Sequence, residues 1–248
     1  ITAQPAMLAI MSVAADVDGD GLPEVIVGSS IRDGISGLDK TPPELMAATT
    51  LIGALSGIAD FNRDGKPEIV FTRQVHGSGA IAVYDVANRK FLLGPALVDY
   101  PYDFNGSPTI ADFDGDGRPE IGVAGGHRYM MFDLDCLGPR LQAGCDPNEK
   151  PGVRWSRPYT ENSAGTAASA FDLNGDGRAE VIVRDECRLR VYDGNDGHTL
   201  MAPSYSSGTG AELGAVVADV DGDGHAEIIV TADTVNMPKA CNDPGTPD

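Results

Sequence analysis

Short apolar runs recur along this chain, and each is interrupted by a cluster of Asp, Asn and Gly. SVAAD, SGIAD, PTIAD and AVVAD lead into four such clusters, while EVIVG, EIVFT, EIGVA, EVIVR and EIIVT close all five. Runs this short, rich in β-branched residues and bounded by turn formers, predict strands, so each cluster becomes the bend of a β-hairpin. Third strands are expected at Ala80–Asp85, Tyr129–Asp135 and Leu189–Gly197. The last ends in the turn-rich DGNDG and leads into HTLMAP. Phe91–Val98 and Val153–Pro158 read as fourth strands. The first repeat differs: residues 31–50 show no clear third strand, and PELMAA predicts a helical turn.

The clusters are copies of one nine-residue pattern: DVDGDGLPE from Asp16, DFNRDGKPE from Asp60, DFDGDGRPE from Asp112, DLNGDGRAE from Asp172 and DVDGDGHAE from Asp219. They begin 44, 52, 60 and 47 residues apart, the spacing of a repeat architecture. Positions 1, 3, 5 and 9 carry only Asp, Asn or Glu, position 6 is always Gly, and 18 of the chain's 37 acidic residues stand at those four acidic positions.

A tight loop turns side chains 1, 3 and 5 toward one point, Gly at position 6 permits the sharp turn, and the carbonyl of position 7 joins the shell. The candidate ligands of the first loop are Asp16, Asp18, Asp20, Leu22 and Glu24; those of the second are Asp60, Asn62, Asp64, Lys66 and Glu68. The third offers Asp112, Asp114, Asp116, Arg118 and Glu120, and the fourth Asp172, Asn174, Asp176, Arg178 and Glu180. Asp219, Asp221, Asp223, His225 and Glu227 form the fifth, each position-7 residue contributing only its carbonyl. An all-oxygen set suits Ca²⁺, up to five ions, better than the tighter octahedron of Mg²⁺ or the softer metals that seek His and Cys.

An EF-hand starts alike but places its glutamate at position 12 between helices; here it falls at position 9 before a strand. A lone DGDG is an ordinary solvated turn. Five copies that keep an acid at position 9, which turn chemistry does not require, favour metal. The second loop is the weakest, with Arg63 in place of the Gly found elsewhere at position 4 and Asn62 removing a charge; the fourth carries Asn174.

The pattern D-x-[DN]-x-D-G-x-x-[DE] followed by a β run resembles the FG-GAP/VCBS repeat of integrin α-subunit propellers and many secreted bacterial proteins. The resemblance implies an all-β fold, a β-propeller of four-stranded blades whose calcium loops join the first two strands. Blades then fall at about residues 8–50, 51–105, 106–162, 163–209 and 210–248. Five repeats imply a section of a larger ring, seven blades being one such count, with a five-bladed ring as the alternative and residues 1–11 as one closing strand.

A net charge of −19 argues against nucleic acid as a partner. The most apolar stretch, residues 6–15, is too short to span a bilayer. No charged n-region with an apolar run opens the chain, so any secretion signal is expected to be removed or to lie outside it. Cys136 and Cys145 bracket a Gly/Pro-rich insertion, and the favoured pairing is Cys136–Cys145 with Cys187–Cys241. Disulfides and loops suited to millimolar Ca²⁺ both point to an extracellular or cell-surface location.

The four His are scattered, and neither a nucleophile elbow nor a phosphate loop appears. Asp85, Asp133, Asp185, Glu186 and Glu212 are candidates for a glycosidase-like pair, but strand-end hydrogen bonding is the stronger reading. Trp155 reads as core. The expected role is non-enzymatic: adhesion, ligand binding or assembly scaffolding through a protein or glycan partner, self-assembly included. The alternatives are a polysaccharide-active enzyme and a lectin.

Overall fold

Every acidic bend joins the first two strands of its own antiparallel sheet. In the computed structural model, residues 12–52, 54–75, 78–98, 106–125, 127–138, 144–159, 166–185, 187–205 and 214–230 are described. Sheet one comprises β1 (Ser12–Ala15), β2 (Glu24–Val27) and β3 (Ser30–Asp33). The second has four strands: β4 (Leu55–Ala59), β5 (Glu68–Val75), β6 (Ser78–Asp85) and β7 (Lys90–Val98). β8 (Thr109–Ala111), β9 (Glu120–Ala124), β10 (Arg128–Phe132) and β11 (Val153–Pro158) form the third. The fourth holds β12 (Ala168–Phe171), β13 (Glu180–Arg184), β14 (Arg188–Tyr192) and β15 (Thr199–Tyr205); β16 (Val216–Ala218) and β17 (Glu227–Ile229) form the fifth. Within each sheet the strands lie in chain order and antiparallel, so neighbours connect directly, the longest link being residues 133–152 between β10 and β11.

Helix is scarce, the PELMAA turn appearing as α1 (Pro43–Ala47). The first repeat departs from expectation by having a third strand. β3 follows β2 after only Gly28 and Ser29, with Gly28 at φ 58°, so the strand begins too early to stand out as a separate apolar run. Two expected third strands stop short, at Phe132 and Tyr192. After Phe132 the chain enters a 3-10 turn, Leu134–Leu137, where the Asp133 carboxylate accepts the Asp135 N–H. Residues 1–11, the tail from 231 with Cys241, and Glu186 and Glu212 lie outside the described residues.

The core lies between sheets, each of which packs on the next in sequence. Ile26 and Ile31 of the first meet Ile69, Phe71 and Tyr84 of the second. Val70 and Val83 of the second meet Ile121, Val123 and Met130 of the third. Tyr129 and Trp155 of the third meet Val181, Val183 and Tyr192 of the fourth, and Ile182 and Val191 of the fourth meet Val217 and Ile228 of the fifth. The first strands adjoin in a row, β1 by β4, β4 by β8, β8 by β12, and β12 by β16. Their approach is close: a Cβ on Gly57 of β4 would lie 2.7 Å from Ile110 Cδ1 of β8. Trp155 is core, 2% exposed, and its indole donates to the Gly194 carbonyl at 2.8 Å.

Candidate metal centres

The five loops are one structure repeated. In each hairpin the residue before position 1 pairs with the glutamate at position 9: Ala15 with Glu24, Ala59 with Glu68, Ala111 with Glu120, Phe171 with Glu180 and Ala218 with Glu227. Gly at position 6 has φ between 82° and 91° in all five, a conformation that other residues adopt only with strain. Position 4 is also left-handed. There Arg63 replaces glycine at φ 59° and turns outward to the third loop, its Nε donating to the Gly117 carbonyl at 3.0 Å.

The acidic side chains brace the loop, position 1 with both oxygens (its Oδ1 takes the N–H of position 4, position 5 or both) and positions 5 and 9 with one each. The position-1 aspartates, Asp16, Asp60, Asp112, Asp172 and Asp219, accept the position-6 N–H through Oδ2 at 2.8–3.0 Å. Oδ1 of position 3 accepts the N–H of position 5, and Oδ1 of position 5 accepts that of position 7, in every copy. Glutamate Oε2 accepts the position-2 N–H at 2.6–3.1 Å in every copy. The sequence reading missed this last bond. It gives the acid at position 9 a role as a clasp across the hairpin.

Oδ2 of position 5, Oε1 of position 9 and, where position 3 is Asp, its Oδ2 take no part in these braces; Asn62 and Asn174 carry an amide nitrogen there instead. Carboxylate oxygens of Asp16, Asp18 and Glu24, of Asp60, Asp64 and Glu68, and of Asp112, Asp114 and Glu120 lie within 4.8 Å of one another. Glu24, Glu68, Glu120 and Glu180 are buried and Glu227 is half-buried, while the aspartates at positions 3 and 5 stay partly or fully exposed, so the first four loops open to solvent above a buried floor. Burial pushes the Glu120 carboxyl up to about 8, and Asp114, Asp133 and Asp112 add repulsion. Glu68 is pushed up to about 7, again by burial first and then by Asp85 and Asp64. Burial likewise raises Glu180. Buried negative charge facing further carboxylates, with only oxygen donors, fits a hard divalent cation.

A further acid faces each of four glutamates. Glu24 pairs with Asp33 across β2–β3, and the registers carry Asp85, Asp133 and Asp193 opposite Glu68, Glu120 and Glu180. These side chains cap strand-end turns. Asp33 accepts the Ser36 N–H at 2.7 Å, Asp85 the Asn88 N–H at 2.8 Å, Asp133 the Asp135 N–H at 2.7 Å and Asp193 the Asn195 N–H at 2.9 Å. Strand-end bonding is therefore what Asp85 and Asp133 do. Asp185 is equally engaged, with Arg190 Nε at 2.7 Å.

Cations reach the loops unequally. Lys40 Nζ contacts three acids of the first loop, whose hydrogen bonds hold its amine protonated well beyond the usual lysine range. Arg154, 3% exposed, lies 2.9 Å from both Asp114 and Asp133. In the second and fourth loops the Asn62 and Asn174 amides donate to glutamate Oε1 at 2.7 and 3.0 Å. Of the position-7 residues, Arg118 pairs with Asp135 and Arg178 with Asp176, both at the surface. The Cys136–Cys145 disulfide is present, and Cys187 is disulfide-bonded.

A repeated sheet whose first hairpin carries this loop is the unit of a known family. Residues 60–123 and 159–230, more than half the chain, match the FG-GAP-like repeat, and the chain belongs to that family. No curated protein matches the sequence. Among solved structures, the Vibrio cholerae biofilm matrix protein Bap1 overlays with a TM-score of 0.61 at 15% identity, covering 90% of this chain and 60% of Bap1. An Agrocybe aegerita lectin specific for non-reducing terminal N-acetylglucosamine gives a TM-score of 0.44 at 17% identity, over 88% of this chain and 60% of the lectin. The first overlay shows a shared fold, and this chain spans three-fifths of the length of Bap1. No helix among the described residues is long and apolar enough to cross a membrane.

Proposed function

We propose that the chain is a section of a calcium-stabilised β-propeller that serves outside the cell as an adhesive or scaffolding surface, without catalysis. The observation that carries this reading is the loop geometry: five copies share the same backbone braces, and carboxylate oxygens of the first three converge within 4.8 Å of one another. The sheets are the blades, and their adjoining first strands are the inner wall. Bound Ca²⁺ supplies the positive charge that offsets carboxylate repulsion inside the loops it fills. Positions 1, 3, 5 and 9 hold the ion, position 1 also keeping the turn closed, and the glutamate clasp ties the ion to both strands.

Support for an extracellular setting comes from the disulfide, since such bonds persist in oxidising compartments. The fold shared with a biofilm matrix protein supports a matrix or surface role with a protein or glycan partner. The non-catalytic reading rests on Asp85, Asp133 and Asp185 being engaged by turns and arginine, which leaves them unsuited to proton transfer. Calcium titration with direct metal analysis, followed by binding to immobilised matrix polysaccharides with and without Ca²⁺, tests the proposal. Calcium uptake and calcium-dependent retention without release of shortened polymer are expected. Polymer cleavage, or a chain that takes up no calcium, would overturn it.

A further inference from the structure

The first loop carries four carboxylates, as many as any copy, and its centre already holds a positive charge. Lys40 Nζ lies 2.6 Å from Asp18 Oδ2, 2.7 Å from Glu24 Oε1 and 3.1 Å from Asp20 Oδ2. Those are the three oxygens that the backbone braces leave over, so the ammonium occupies the common focus of positions 3, 5 and 9. The lysine is held there by its backbone. Its N–H donates to the Ile31 carbonyl at 2.9 Å, Asp39 bridges to Arg32, and Thr41 Oγ1 accepts the Ile31 N–H at 2.9 Å. This return of the chain along β3 occurs in the described sheet with three strands; sheets two to four continue instead into a fourth strand.

Among the described residues no other loop has a cation that contacts three of its acids; Arg178 reaches Asp176 and Arg63 reaches Asp116, one loop acid each. Asn62 and Asn174 offer neutral amides, which present a carbonyl oxygen when turned over. Among the described residues, Arg154 reaches one loop oxygen, on Asp114. An ammonium and a divalent ion cannot share the same three oxygens, because their charges would repel at contact distance. A tethered cation also has an effective concentration in the millimolar range, comparable to extracellular calcium.

We propose that Lys40 is the resident cation of the first loop and excludes from it the divalent ion that other loops bind. The inference rests on the calcium reading of those loops. Its test compares bound calcium in the full chain and in Lys40→Met, by equilibrium dialysis at about 1 mM Ca²⁺ and metal analysis. The variant is expected to hold one ion more per chain than the parent. Equal, non-zero uptake by both overturns the role of Lys40 and leaves the calcium reading standing; no uptake by either removes both. Amine acetylation of the unmodified chain gives a second readout that needs no variant. Lys40 is expected to stay protected when calcium is added, and a calcium-dependent rise in its labelling overturns the proposal.

Discussion

The first and third loops carry the same acids at positions 1, 3, 5 and 9, yet their glutamates stand in opposite electrostatic settings. Glu24 meets an ammonium at 2.7 Å. Glu120 meets no cation among the described residues and is pushed up to about 8 by burial and neighbouring carboxylates. A lysine outside the motif, supplied by a detour of the chain, makes the difference. Four identical acids do not fix a loop's electrostatics; the packing around them does.

The largest expected effect tests the loops together. Stripping the full chain with EGTA should lower its Tm by about 10 °C or more, since filling several sites contributes on the order of 7 kcal/mol at about ten times Kd, and each kcal/mol moves a chain of this size by about 2–4 °C. A melt unmoved by proven removal of calcium would erase the contrast between filled and unfilled loops. Next comes the arginine beside the third loop. Arg154→Met leaves Asp114 and Asp133 without their buried partner and should cost about 3–5 kcal/mol in urea unfolding. A loss under about 1 kcal/mol would mean that the guanidinium is dispensable there.

Matched substitutions sharpen the comparison directly. In EGTA at pH 7, Glu120→Gln should stabilise by about 1 kcal/mol, because folding no longer has to take up a proton at this buried, carboxylate-lined position and the amide keeps an acceptor for the Phe113 N–H. Glu24→Gln should destabilise by a similar amount, because Lys40 loses an anionic partner. Equal signs would dissolve the distinction between the two loops. The smallest effect is with pH. Glu68 and Glu120 keep their protons to about 7 and about 8 when folded, so the unfolded chain releases them first as pH rises. The folded state binds more protons across that window, and stability of the metal-free chain should fall as pH climbs from the ordinary carboxylate range toward 8. Thermal melts in EGTA at pH 5 and pH 8 measure it; a higher Tm at pH 8 contradicts the assignment.

Much of this was legible in the sequence because a hairpin bend and its flanking strands are local events. Val153–Pro158 falls on β11 residue for residue, and all five bends lie where Dx[DN]xDG stands. The β3 strand escaped because four residues after a two-residue turn leave too little alternation to detect. The glutamate clasp escaped for another reason: ligand and brace demand the same residue, so one hides the other. The lysine in the first loop was out of reach, since its meeting with Glu24 depends on how residues 34–40 return along β3. An alert to such a partner does exist in the composition of that segment, where Lys40 is the one basic residue between Arg32 and Arg63.

The shared pairing of the residue before each bend with its closing glutamate makes the nine-residue segments interchangeable parts. A bend cut from one hairpin and grafted into another meets the same two anchor points in the same register, so affinity for an ion can be reassigned from sheet to sheet without redesigning the strands beneath. A chain assembled from such cassettes can gain or retire individual ion sites one at a time while its framework stays constant.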